Sequence, residues 1–110
     1  MKLVIIESPY AGNVEANVAY ARAALRDSVL RDEAPFASHL LYTQENVLDD
    51  LIKEERNLGI HCGFHWGAKA DLVAFYMDHG LSPGMEKAKI YYQAHRIPIE
   101  YRKLYKENKG

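Results

Sequence analysis

Residues 3–6 form an unbroken, mostly β-branched apolar run stopped by Ser8-Pro9, the pattern of a strand buried on both faces. From Val14 the apolar period changes. Val14, Val18, Ala21, Leu25 and Val29 recur at helical spacing behind an Asn13 N-cap, which predicts a helix over about 14–31. Residues 35–38 read as a second strand, followed by His39-Leu40-Leu41-Tyr42 and then a partly helical stretch over 44–53. Another long helix is predicted over about 54–69, with Gly59, Gly63 and Gly67 at every fourth position. Each glycine costs about 1 kcal/mol against alanine inside a helix. Their shared ridge therefore predicts the close approach of the sheet, another helix or a second subunit. Residues 71–77 form a third buried strand. Ser82-Pro83 then opens a helix, with a serine N-cap and a proline at its first position, that ends near His95-Arg96. A fourth strand covers 97–101.

Strands alternating with helices imply right-handed crossovers and a parallel sheet. The expected fold class is α/β: a doubly wound, four-stranded parallel sheet of order 2-1-3-4 with helices on both faces. In that order the winding reverses between strands 1 and 3, and a crevice opens at their carboxyl ends. Ser8-Pro9-Tyr10 then faces Asp78 and Ser82-Pro83-Gly84-Met85 across it.

Composition narrows the class of ligand. The 110 residues suit one domain, with 48% hydrophobic and 26% charged residues. A net charge of −1 gives no field for a long polyanion, so nucleic acid is not an expected partner. A single cysteine, Cys62, excludes an internal disulfide. The apolar runs are too short for a signal peptide or membrane span, so a cytoplasmic location and no membrane partner are expected. The basic run 102–109 and the acidic run 49–55 read as solvated ends and faces. A small core and eight tyrosines make a homo-oligomer the expected state.

The candidate chemistry gathers at the crevice. Ser82, Pro83, Gly84 and Met85 present a positive helix end that can seat a phosphate or ribose, although a helix start also uses Ser-Pro for local reasons. Ser8, Pro9, Tyr10 and Gly12 leave strand 1 at the same mouth, and Tyr10 offers a flat face for a base. Asn13 begins a second anion-accepting helix end. His39 and Tyr42 reach the rim from strand 2, and Asp78 is placed to accept from ribose hydroxyls. His61, Cys62 and His65 have helical metal-ligand spacing but lack a third ligand, so no metal is expected. No cofactor motif of the GxGxxG or Walker kind occurs, and Ser8 has no G-x-S-x-G elbow.

The segments Ser8-Pro9-Tyr10-Ala11-Gly12, Ser38-His39-Leu40-Leu41-Tyr42, Glu55-Arg56-Asn57-Leu58-Gly59, Ser82-Pro83-Gly84-Met85 and Ile97-Pro98-Ile99-Glu100-Tyr101-Arg102 together resemble a family of small phage and bacterial proteins related to nucleoside 2-deoxyribosyltransferases. The resemblance spans nearly the whole chain. It implies one flavodoxin-like, deoxyribosyltransferase-like domain over 1–105, a flexible tail over 106–110, and a nucleoside-shaped pocket. Enzymes of that superfamily carry an attacking glutamate six residues after the serine matching Ser82, where this chain has Ala88. Glu86 lies two residues from Ala88, about 200° around the helix, and is no simple substitute. Glu86 and Asp78 are the residual catalytic candidates, and Glu7 is a further carboxylate on the sheet side. The expected function is that of a phage-type sponge binding a nucleotide-derived small molecule such as an immune signalling nucleotide. The alternatives are a nucleoside or nucleotide N-glycosidase or 2-deoxyribosyltransferase, and an inhibitor that binds a host protein.

Overall fold

The apolar runs become four short strands: β1 (Leu3–Glu7), β2 (Ala34–Phe36), β3 (Leu72–Tyr76) and β4 (Ile99–Arg102). The computed structural model describes residues 1–105, and the tail expected at 106–110 lies outside them. Every neighbouring pair is parallel and the order is β2-β1-β3-β4. This is the doubly wound, flavodoxin-like α/β arrangement. Four helices connect the strands: α1 (Val14–Leu30), α2 (Ser38–Leu41), α3 (Lys53–Gly67) and α4 (Pro83–Ala94).

Alternation along the strands divides the core in two. Val4, Ile6, Ala74 and Tyr76 pack with Tyr20 and Ala24 of α1. Ile5, Val73 and Phe75 pack with Met85, Ala88 and Tyr92 of α4, and Phe64 of α3 joins them. β4 starts at Ile99 rather than 97 because the chain is still closing α4 there. The Ile97 amide donates to the Tyr92 carbonyl, and Pro98 has no amide to give.

Three local expectations need correction. The buried stripe of α1 is Tyr20, Ala21, Ala24 and Ser28, while Val14 and Val29 are exposed. Small alanines let the helix lie close to the sheet, and the Ser28 hydroxyl is satisfied by Glu33 at 2.8 Å. Residues 44–52 contain turns and no helix. Asp49 Oδ1 accepts from the Leu51 amide at 3.0 Å, offering the backbone an alternative to the helical ladder, and Asn46 adopts a left-handed φ of 65°. Residue 38, expected at the end of a strand, instead begins the single turn α2.

The glycine ridge of α3 is filled by side chains of the same chain, not by a second subunit or the sheet. A Cβ on Gly63 would sit 2.5 Å from Ser38 Oγ, and one on Gly67 would sit 2.6 Å from the Tyr92 hydroxyl. Gly67→Ala is expected to destabilise the fold by about 1–3 kcal/mol through overpacking, even after a helix-propensity gain near 1 kcal/mol. A urea midpoint equal to or above that of the parent would refute this close packing.

Candidate functional site

β1 follows its apolar residues with Glu7, and Ser8 follows the strand. Glu7 shares the α4 side of the sheet with Ile5, and the Tyr92 hydroxyl donates to its Oε1 at 3.4 Å. Ser8 is buried, and its Oγ lies 2.7 Å from His39 Nε2 at the start of α2. Between these residues, α3 and the beginning of α4 lies a cavity of about 300 Å³. That is the lower end of the range for small-molecule sites, roughly 300–1,000 Å³. It sits by the reversal in strand order, where the topology leaves a crevice.

Ser8 and Tyr10 line the cavity from the exit of β1, and His39 and Tyr42 from α2 and its end. Ser82, Pro83, Gly84 and Met85 line it from the opposite side. The Ser82 side chain caps α4 by accepting from the Met85 amide at 3.2 Å. Asn17, which the sequence did not single out, donates to the carbonyls of Tyr10 and Ala11 at 2.9 and 3.0 Å and so fixes the loop carrying Tyr10.

Five candidates lie outside the cavity wall. Pro9 is half-buried beside it. Gly12 provides a turn with φ 97° in open space, and the Asn13 side chain is used by the Ala16 amide. Asp78 is a structural clasp, accepting from the Tyr20 hydroxyl and from the amides of Leu104 and Tyr105 at 2.9 and 3.1 Å. Burial pushes its carboxyl up, but these donors outweigh that and hold it below the usual carboxylate range. Glu86 is exposed on the first turn of α4.

The wall that sequence reasoning missed comes from α3, with Arg56, Gly59, Ile60 and Phe64, and from Lys87 and Tyr92 of α4. The glycine spacing was the one signal that α3 packs closely. Glu7 carried a different signal, an ionisable residue closing a buried strand. Burial pushes its carboxyl up to about 8, with the Tyr92 hydrogen bond pulling weakly the other way. Burial also lowers His39 to about 4. At pH 7 both groups are neutral.

The Ser8–His39 contact has nucleophile–base geometry but not its chemistry. An imidazole that titrates near 4 is too weak a base to activate a hydroxyl at neutral pH, and no carboxylate bonds to it among the described residues. The pair is a hydrogen-bonded contact in the cavity wall. A second, shallower depression of about 650 Å³ adjoins the cavity over the 43–51 loop and shares Tyr10, Thr43, Leu48, Asp50 and Glu55 with it. Its ionisable lining includes Glu45, Asp49, Asp50 and Glu55, and no lysine or arginine.

The His61 and His65 rings lie 4.9 Å apart, tilted by 56°, with the His65 ring bonded to the His61 carbonyl. Among the described residues no three side chains of metal-ligating type converge. None of the helices there is long and apolar enough to cross a membrane. No curated protein and no solved structure matches the chain significantly. A family profile does match, over residues 2–102, and the chain belongs to that family, described as a domain of unknown function, DUF7768.

Proposed function

We propose that the cavity binds a nucleotide-derived small molecule and holds it without turnover, so that the protein acts as a sponge for such a ligand. The observation carrying this reading is a cavity of about 300 Å³ with a buried alanine, Ala88, in its wall, the position at which the sequence resemblance implies an attacking glutamate. Glu7, the carboxyl group at the floor, is protonated at neutral pH and is no nucleophile in that state. Arg56 and Lys87 supply positive charge for a phosphate, while Asp50 and Glu55 on the shared rim and Glu45 and Asp49 in the neighbouring depression oppose a long polyphosphate. A compact nucleotide with one or two phosphates fits this distribution. An immune signalling nucleotide is one such class.

Isothermal titration against AMP, ADP-ribose and cyclic di-AMP, with chromatography of the recovered ligand, tests the reading. The expected result is saturable binding of at least one, recovered intact. No binding by any of the three overturns it.

One observation favours an N-glycosidase as the second reading: a carboxyl group still protonated at pH 7 is a competent general acid for a departing base. Free base released during the same titrations, and abolished in Glu7→Gln, would replace binding with turnover.

A further inference from the structure

The floor of the cavity is apolar and aromatic around one polar group. Met85, Ala88 and Tyr92 of α4 and Phe64 of α3 belong to the same cluster, and Glu7 enters beside them. The Tyr92 hydroxyl donates to Oε1 of Glu7, which fixes that oxygen as the acceptor. Tyr92 itself is 1% exposed and is held against Gly67, where a side chain would displace it. The remaining oxygen, Oε2, is then the one available to carry the acid proton towards a ligand.

We infer that Glu7 is the specificity-determining residue of this cavity, donating a hydrogen bond to a ring nitrogen or carbonyl of a nucleobase seated on the apolar floor. This deepens the binding reading and rests on it. A flat base suits Phe64 and Tyr92, whereas a phosphate belongs with Arg56 and Lys87 on the same wall. Tyr92 acts as a positioning residue because its hydrogen bond to Oε1 leaves Oε2 to carry the acid proton.

The donor exists only while the carboxyl is protonated, so affinity follows its titration. The ionisable groups facing Glu7 from the surrounding elements are Tyr92 and Lys87 of α4, Glu55 and Arg56 of α3, and His39 of α2. Asp50 of the 43–51 loop, Tyr10 and Tyr42 complete the set. His39 titrates near 4 and burial raises Tyr92 above its usual range, so neither changes charge between pH 7 and 9.5. A Glu7→Gln variant keeps an outward donor that does not titrate, and its profile reports whatever the other groups contribute.

The test is titration of the whole protein with AMP, CMP, GMP and UMP from pH 6 to 9.5, for the parent, Glu7→Gln and Glu7→Leu. Circular dichroism checks that each variant is folded. For a mononucleotide that binds, parent affinity is expected to fall towards tenfold per pH unit above about 8. Glu7→Gln should bind within a few-fold of the parent at pH 7 and lack the parent's loss of affinity setting in near pH 8, and Glu7→Leu should bind at least tenfold more weakly. A flat parent profile, or a Glu7→Leu protein that binds as well as the parent, overturns the role of Glu7 and leaves the binding reading intact. Failure of all four mononucleotides to bind the parent at millimolar concentration removes the base-reading inference. If the ligands titrated above also fail, the binding reading falls with it.

Discussion

Arg102→Met is expected to lower the unfolding free energy by about 3–5 kcal/mol, a large part of the stability of a small domain. The guanidinium lies at the end of β4, with its side chain 2% exposed. It grips Glu33 with two nitrogens, at 2.8 and 2.7 Å, and donates to the Tyr76 hydroxyl at 3.2 Å. Tyr76 passes the network on to Asp27 of α1 at 2.7 Å. The Glu33 side chain is only 12% exposed, so removing Arg102 leaves a carboxylate with Ser28 as its remaining side-chain partner. The contact with Glu100 adds little, because that carboxylate is nearly half exposed.

The cost lies in the abandoned charge more than in the lost attraction, and a double variant separates the two. Arg102→Met with Glu33→Leu is expected to recover most of the loss. Arg102 is the main reason the Glu33 carboxyl titrates below its usual range. This contribution is present above the unfolded-state value near 4.5 and is lost as pH falls through the lower folded-state value. Urea unfolding at pH 7 and at pH 4 reads both effects. A loss below about 1 kcal/mol in the single variant would mean that the pair is not desolvated.

Arg102 also marks where the sequence stopped being informative. It opens a basic run that reads as a solvated tail, yet its side chain is buried, because Glu33 and Tyr76 meet it from 69 and 26 residues away. The acidic run misleads in the same way, since Asp50 and Glu55 line the cavity. Local pattern was enough for the strands, their order and the crevice, because each depends on short apolar runs and on the handedness of crossovers. It was enough for Ser8, Tyr10 and Ser82, which sit where strands end and a helix starts. It was not enough for the α3 wall, which depends on Ser38 and Tyr92 fitting over glycines. Nor could it assign Asp78, whose carboxylate is taken by Tyr20 and by amides beyond β4. Side-chain partnerships across the fold decide those cases.

Glu7→Gln is expected to stabilise the protein, and by an amount that depends on pH. The Glu7 carboxyl titrates at about 8 when folded, against 4.5 as its ordinary value. Below 4.5 it is protonated in both states and carries no desolvation penalty. Between 4.5 and 8 folding takes up a proton, so stability declines as pH rises. Above 8 the decline levels off. Each pH unit of that interval corresponds to about 1.4 kcal/mol, and residual access to the cavity reduces the sum to on the order of 3 kcal/mol. The glutamine has no such slope. The two proteins should therefore unfold at similar urea concentrations near pH 4, and the variant should pull ahead until about pH 8, with a constant gap beyond. Glu33 and Asp78, both held low, act on the acid side and are common to the two proteins, so they cancel in the difference. A difference that stays flat from pH 4 to 9 would show that the carboxyl is solvated and ionises normally. A carboxyl kept at such a cost beside a cavity is the pattern on which the proposed ligand contact of Glu7 rests.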